Sequence, residues 1–81
     1  MDKPFPGFQF GKYVHYKGGE YVALHLAYHH ESREIMVVYV SCEKGTINVR
    51  PLNTPGQDSW WDLVYNGNNV KVARFHYVGP A

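Results

Sequence analysis

The sequence contains one cysteine, Cys42, and it has neither a long apolar run nor an excess of charge of either sign. A single cysteine excludes an internal disulfide and a cysteine-rich zinc site, and it is typical of a protein from a reducing compartment. No stretch of about 20 apolar residues is present, and no basic start precedes an apolar segment, so the sequence predicts neither a membrane span nor an export signal. We therefore expect a cytoplasmic protein.

The charges are nearly balanced, with eight Lys and Arg against seven Asp and Glu and a formal net charge of +1. A duplex-DNA or membrane-surface protein usually carries a large field of one sign, which this composition does not provide. Only local patches of charge can therefore recruit a partner. Cys42 has no cationic neighbour that the sequence identifies, so we expect a buried, inert thiol.

Aromatic residues are abundant, with seven Tyr, four Phe and two Trp in 81 residues. A chain of this length forms one small domain with a thin core, and each packed aromatic side chain buries about 150 to 250 Å². A domain this small also gains stability from any partner that binds its folded form, so a homo-oligomer is an open alternative.

Short segments that alternate between apolar and polar residues predict an all-β fold, and turn signals separate them. Gly18 and Gly19 supply the first tight turn, and residues 66–69 form a strong hairpin signal. We predict a small SH3-like or OB-like curled barrel of about five to six antiparallel strands. Residues 1–11 form a Pro- and Phe-rich arm, and residues 12–79 form the domain. The predicted strands are residues 12–17, 20–28, 34–41, 46–50, 60–65 and 70–78.

The string GKYVHYKGGEYVALHLAYHHESREIMVVYV, followed by VRPL and a later RF pair, resembles the bacterial and bacteriophage domain of unknown function family 1653. The similarity runs from Gly11 to about Val78. The family name implies no activity. This sequence has Asn48 where the family pattern has Trp, so any role of that Trp is vacant here or is taken by Trp60 or Trp61.

His15 and Lys17 are two residues apart, which places them on one face of a strand beside the glycine turn. A cation next to exposed backbone N–H groups suits a phosphate or a carboxylate. The alternative is that Lys17 is solvated and His15 satisfies a backbone carbonyl. The recurrence of both residues in the family pattern favours a ligand-binding role.

Arg50 stands at a strand end before Pro51, a position suited to bidentate recognition of an anion. It could instead form a structural pair with Glu31 or Asp62. Arg74 lies within an apolar strand and has the same two interpretations, with structural pairing favoured. The sequence thus predicts Arg50 as a ligand-binding residue and Arg74 as a secondary candidate.

His29 and Glu31 are a second candidate pair, within a stretch that also contains His25 and His30. Adjacent histidines on an extended chain point to opposite faces, and no second compact ligand pair exists, so we expect no metal. A hydrogen bond between His29 and Glu31 is the simpler explanation. A general-base pair for a hydrolase is a minor alternative, because barrels of this size seldom enclose a pocket that excludes water.

Tyr39, Trp60 and Trp61 are candidate stacking platforms, since an aromatic ring contributes about 1 to 3 kcal/mol per stacked base. Aromatic residues in so small a domain more often form the core. Trp60 and Trp61 would face opposite ways on a strand, so one of them would be exposed as a contact surface.

These observations predict a non-enzymatic module that binds an anionic ligand, namely a nucleotide, a nucleotide second messenger or a short nucleic acid, without a cofactor. In a phage setting, which the family resemblance permits, such a module would sequester a nucleotide signal of host defence. The alternative is a protein-interaction domain that forms a homo-oligomer. The predicted ligand-binding residues are His15, Lys17, Tyr39, Arg50 and Trp61, with His29, Glu31, Trp60 and Arg74 as secondary candidates.

Overall fold

A computed structural model describes residues 8–54 and 56–81, and these residues form seven strands and no helix. The all-β prediction is confirmed. No helix of the described residues meets the length and apolarity that a membrane crossing requires. Most of the predicted arm, residues 1–7, lies outside the described residues. The strands are β1 (Gly11–His15), β2 (Glu20–Tyr28), β3 (Ile35–Ser41), β4 (Ile47–Pro51), β5 (Leu63–Tyr65), β6 (Lys71–Ala73) and β7 (Phe75–Gly79).

Five of the strands form one antiparallel sheet in the order β4-β3-β2-β1-β7, and β5 and β6 form a separate hairpin. The sheet is not closed by pairing, because β4 and β7 are its two edges among the described strands. It is strongly curled, however, since Arg50 on β4 contacts Phe75 on β7 across the interior. The prediction of a small curled sheet is thus confirmed, while the described strands form an open sheet and not a closed barrel.

One face of the sheet carries the core, which contains Tyr13, Ala23, Val37 and Tyr39. Ala23 on β2 lies directly opposite Tyr39 on β3 in the strand register. Phe8 is also buried, with an exposed fraction of 4%, and packs on Tyr13. Phe8 therefore joins the protein's own core.

Strand β2 contains a bulge between Ala23 and His25. A bulge inserts one extra residue and changes which face the following side chains occupy. Tyr21 and Ala23 therefore share the core face with Leu26, whereas strict alternation would have placed Leu26 on the opposite face. An assignment of faces by strict alternation therefore fails beyond this point.

The segment before β5 differs from the prediction of a strand over residues 60–65. Trp60 and Trp61 lie in a turn, where their amide groups donate to the carbonyl oxygens of Pro51 and Leu52. Buried Ser59 fixes the loop that precedes them, because its hydroxyl accepts a hydrogen bond from the amide of Thr54 at 2.9 Å. This arrangement directs Trp60 into the core.

The predicted strand over residues 70–78 is also interrupted, at Arg74. The amide of Arg74 donates to the carbonyl of Asp62, and its own carbonyl accepts from the amide of Tyr16. Arg74 therefore joins the base of the β5–β6 hairpin to the end of β1. This break separates the hairpin from the five-stranded sheet and sets Arg74 beside the candidate site.

Candidate functional site

The side chain of Phe75 is the centre of the candidate site. The indole ring of Trp60 stacks on it, with ring centroids 3.8 Å apart and an interplanar angle of 6°. The imidazole of His15 meets it edge to face at 5.0 Å, and the guanidinium carbon of Arg50 lies 5.5 Å from its centroid. An aromatic platform thus holds a cation and an imidazole next to each other.

Arg50 faces the interior because of the alternation along β4. Arg50 and Asn48 lie opposite the buried residues Val37 and Tyr39 of β3. The apolar residues of β4, which include Val49, instead face outward and are exposed. A strand that turns its arginine inward and its valine outward reverses the usual pattern, which indicates that the arginine has a specific role.

The guanidinium of Arg50 is only partly satisfied. Its Nη1 donates a long hydrogen bond of 3.4 Å to the carbonyl oxygen of Asp58. Its Nε is buried and has no hydrogen-bond partner among the described residues, and no carboxylate there pairs with it. A buried donor without a partner is costly, and an incoming anion would remove that cost.

Arg74 differs from Arg50 because it has two acidic neighbours. Its Nη2 lies 3.6 Å from a carboxylate oxygen of Asp58 and 3.6 Å from one of Asp62. Both distances are long for direct hydrogen bonds, and Nε of Arg74 is buried without a partner in the described part of the chain. The carboxylate of Asp62, one of the two partners predicted for Arg50, therefore pairs with Arg74.

His15 lies among three cations. Burial lowers the pKa of its imidazole, and the nearby charges of Arg50, Arg74 and Lys17 lower this pKa further. Its Nδ1 accepts a hydrogen bond from the amide of Lys17 at 3.2 Å. We call these four residues the cationic cluster. Its members come from three separate parts of the fold. These are the end of β1 with the turn that follows it, strand β4, and the break before β7.

The depressed pKa of His15 predicts a pH dependence of stability. The unfolded chain binds a proton near pH 6.5, whereas the folded protein resists protonation at this site. The free energy of unfolding should therefore fall as the pH decreases from about 6.5 towards the lower folded pKa. Urea unfolding between pH 5 and 8 measures this, and His15→Asn should flatten the profile in that window. Parallel profiles for the two proteins would contradict the placement of His15.

The aromatic candidates occupy different surroundings. Tyr39 and Trp60 are buried, with exposed fractions of 7% and 1%, and they support Phe75 from within the core. Trp61 keeps an exposed fraction of 41%, and its ring lies 6.3 Å from that of Phe8. The stacking roles predicted for Tyr39 and Trp61 remain predictions, but Tyr39 has little surface to offer a ligand.

His29 and Glu31 lie in the turn between β2 and β3 and are exposed. Nδ1 of His29 accepts a hydrogen bond from the amide of Ser32 at 3.2 Å, and this bond stabilises the turn. The turn is at the opposite end of β2 from Lys17, and neither residue joins the cationic cluster. Among the residues that the structure describes, no three His, Cys, Asp or Glu side chains come together in a metal-binding arrangement.

Sequence reasoning missed two features and misplaced a third. Phe75 was not recognised as the platform of the site, although its position beside Arg74 in a family motif could have suggested it. Asp58 was not recognised as a neighbour of both arginines. Cys42, expected to be buried, is exposed in the turn that follows β3.

The fold and the cluster together define a class of protein: a small curled β-sheet domain in which basic residues from β1, β4 and the break before β7 come together. The family described as protein of unknown function (DUF1653) matches residues 11–77, and the chain belongs to this family. The resemblance seen in the sequence is confirmed.

A crystal structure of a DUF1653 protein from Bordetella bronchiseptica has a similar fold, with a TM-score of 0.78. Its sequence is 35% identical, and the match covers 93% of this chain and 92% of the other. The search of curated proteins found no match.

Proposed function

We propose that this protein is a non-enzymatic, cytoplasmic module that binds an anionic ligand at the cationic cluster. The ligand class is a nucleotide, a nucleotide second messenger or a short nucleic acid. One observation carries the proposal: Arg50 stands beside His15 over the ring of Phe75, with a buried Nε that has no partner in the described part of the chain.

The charges of the cluster support the same assignment. Arg50, Arg74 and Lys17 are close enough to His15 to depress its pKa, so the site has a positive potential at neutral pH. The carboxylates of Asp58 and Asp62 lie 3.6 Å from Arg74 and offset part of this charge. A bound phosphate would accept hydrogen bonds from the guanidinium of Arg50 and reduce the repulsion among the cations.

Lys17 adds an exposed charge beside this site. Its Nζ lies 5.6 Å from the ring centroid of Tyr16, and the residue is exposed. Gly18 and Gly19 follow it with positive φ angles of 91° and 90°. Because Lys17 is exposed, an anion can reach it from solvent.

The resemblance seen in the sequence permits a phage setting, and the role that we propose there is to sequester a nucleotide signal of host defence. A module that holds a nucleotide signal tightly would lower its free concentration without chemistry. The site needs only binding groups for this purpose, and the proposal assigns none of its residues to catalysis.

A second candidate function is self-association, and the outer face of β4 favours it. Ile47 and Val49 on this face are exposed, with fractions of 69% and 61%, at an edge strand that has one free side in the described structure. Exposed apolar side chains on an edge strand are a common contact surface between copies of one chain.

The test compares the affinity of the native protein for ADP with that of Arg50→Gln and Lys17→Gln by calorimetry. Loss of charge-assisted hydrogen bonds should weaken binding about tenfold for Arg50→Gln and several-fold for Lys17→Gln. Each substitution should also make binding less dependent on salt. Lys44→Gln, in the exposed turn before β4, is the matched control and should bind as the native protein does.

Unchanged affinity in both cluster variants would overturn the proposal, as would an absence of binding to the native protein. A solution mass of two or more chains together with that absence would favour the second candidate. The mass is measured by light scattering on the same samples.

A further inference from the structure

Asp58 contacts both arginines of the cationic cluster, and it does so through two different groups. Its backbone carbonyl oxygen accepts the hydrogen bond of 3.4 Å from Nη1 of Arg50. One oxygen of its carboxylate lies 3.6 Å from Nη2 of Arg74. Asp58 therefore bridges two guanidinium groups that come from distant parts of the chain, and it places a negative charge beside the proposed anion site.

The backbone of Asp58 is fixed by the residue that follows it. Ser59 is fully buried, and its amide donates a hydrogen bond of 2.9 Å to the carboxylate of Asp62. The hydroxyl of Ser59 accepts a hydrogen bond from the amide of Thr54 at 2.9 Å and lies 3.0 Å from the carbonyl oxygen of the same residue. These bonds hold the carbonyl group of Asp58 near Arg50, so only its side chain can leave without unfolding the loop.

The two carboxylates beside Arg74 differ in how firmly they are held. The side chain of Asp62 is 34% exposed, and it is anchored by the hydrogen bond from Ser59. The side chain of Asp58 is 85% exposed, and its one polar contact with the described residues is the ion pair with Arg74. An ion pair this exposed is screened by water and salt and contributes little. The carboxylate of Asp58 can thus be displaced at small cost, whereas that of Asp62 is retained.

The exposed carboxylate of Asp58 also marks a position from which solvent reaches Arg74. The side chain of Arg74 is only 14% exposed, so protein closes most approaches to its guanidinium. Because the carboxylate beside Nη2 is itself largely in solvent, an anion from solution can take its place. A terminal phosphate carries a charge of about −1.5 to −2 near pH 7 and has three acceptor oxygens, so it is a stronger partner for a guanidinium than a carboxylate is.

We propose that Asp58 is an internal competitor of the anionic ligand: its carboxylate occupies the position beside Arg74 in the free protein, and the phosphate of the ligand displaces it on binding. The inference rests on the proposed function, and it assigns to Asp58 the role of setting the affinity of that site. A ligand binds only the fraction of molecules in which the position is vacant, so the competing carboxylate lowers the apparent affinity by that fraction.

The test measures the affinity of Asp58→Asn for ADP by calorimetry and compares it with that of the native protein. Asparagine keeps the shape of the side chain and removes its charge. ADP should therefore bind about twofold to fivefold more tightly, the range expected when an exposed ion pair no longer competes. Glu43→Gln is the matched control, since Glu43 is exposed, carries the same charge and pairs with neither arginine in the described structure. It should bind ADP as the native protein does.

A double-mutant cycle with Arg74→Gln separates local competition from a general effect of charge. Asp58 acts through Arg74, so the gain from Asp58→Asn should be absent in the Arg74→Gln background. A second measurement needs no variant: the carboxyl carbon resonance of Asp58, followed by NMR in the native protein, should shift on saturation with ADP, while that of Glu43 should stay in place.

The possible results distinguish this inference from the proposed function. Native affinity in Asp58→Asn, at a site that still requires Arg50, would overturn the competition and leave the proposed function intact. An equal gain in Glu43→Gln, or a gain that persists in the absence of Arg74, would overturn the competition as well. Failure of both the native protein and Asp58→Asn to bind ADP would overturn both assignments.

Discussion

Trp60→Ala should lower the free energy of unfolding by about 3 to 5 kcal/mol, the range for loss of a fully buried aromatic side chain. Trp60 is 1% exposed, and its ring stacks on Phe75 and meets Tyr13 and Tyr39 edge to face at 5.0 Å each. Its removal leaves a cavity that these rings cannot fill by small movements. Urea unfolding, followed by circular dichroism, measures the loss.

Trp61→Ala is the matched control, because it removes the same atoms from the next residue. Trp61 keeps 41% of its surface exposed, so less apolar area returns to water, and the loss of stability should be less than half of that for Trp60→Ala. Losses of equal size would contradict the assignment of Trp60 to the core. Where Trp60→Ala remains folded, its affinity for ADP should also fall, since Phe75 loses the ring that supports it.

Gly11→Ala should also be strongly destabilising, by about 3 kcal/mol or more. Gly11 has φ of +136°, a region that L side chains rarely adopt. A Cβ here would stand 2.5 Å from the carbonyl oxygen of Gly79 and 3.0 Å from Cα of Pro80. Both obstructing atoms belong to the backbone, so the paired strands β1 and β7 would have to separate locally.

Gly45→Ala separates the effect of backbone strain from the effect of this collision. Gly45 has φ of +71°, and in the described structure no heavy atom outside Gly45 and its two chain neighbours lies within 4 Å of where its Cβ would stand. The expected cost is about 1 to 2 kcal/mol, from the left-handed conformation alone. Thermal unfolding of both variants tests the difference. A Gly11→Ala variant as stable as Gly45→Ala would contradict the close approach of β1 to the chain after β7.

Local sequence signals predicted the elements of the fold well where one short segment contains all the information. Gly18 and Gly19 form the predicted turn between β1 and β2. Residues 66–69 form the predicted turn between β5 and β6, with Asn69 at a positive φ of 59°. These predictions succeeded because glycine and asparagine tolerate conformations that other residues avoid.

The misassigned regions depend on contacts between distant segments. The bulge in β2 has no signature within the run of alternating residues, because it is a feature of the pairing between that strand and β3. Arg74 interrupts an apolar run because its backbone bonds to Asp62 and Tyr16, from two other parts of the chain. Trp60 leaves the strand that its neighbours suggested because Ser59 and Pro51 hold the preceding loop.

The sequence predicted only the part of the candidate site that comes from one short segment. His15 and Lys17 are close in sequence, so their proximity could be predicted, but β1 ends at His15 and Lys17 lies in the turn and not on a shared strand face. The approach of Arg50 to His15 depends on the curl of the whole sheet, which brings β4 near β7, and alternation within one strand contains no information about that curl. Only the three-dimensional structure identifies Phe75 as the residue that both of them contact.

The measurement that tests the central claim most directly is an NMR titration of the ¹⁵N-labelled protein with ADP at low ionic strength. Our account predicts saturable shifts of the amide resonances of His15, Lys17, Arg50 and Arg74, and it predicts that Arg50→Gln greatly reduces them. An unchanged spectrum at millimolar ADP would contradict the account. Saturable shifts that leave these four resonances unmoved would contradict it equally, because the ligand would then bind elsewhere on the molecule.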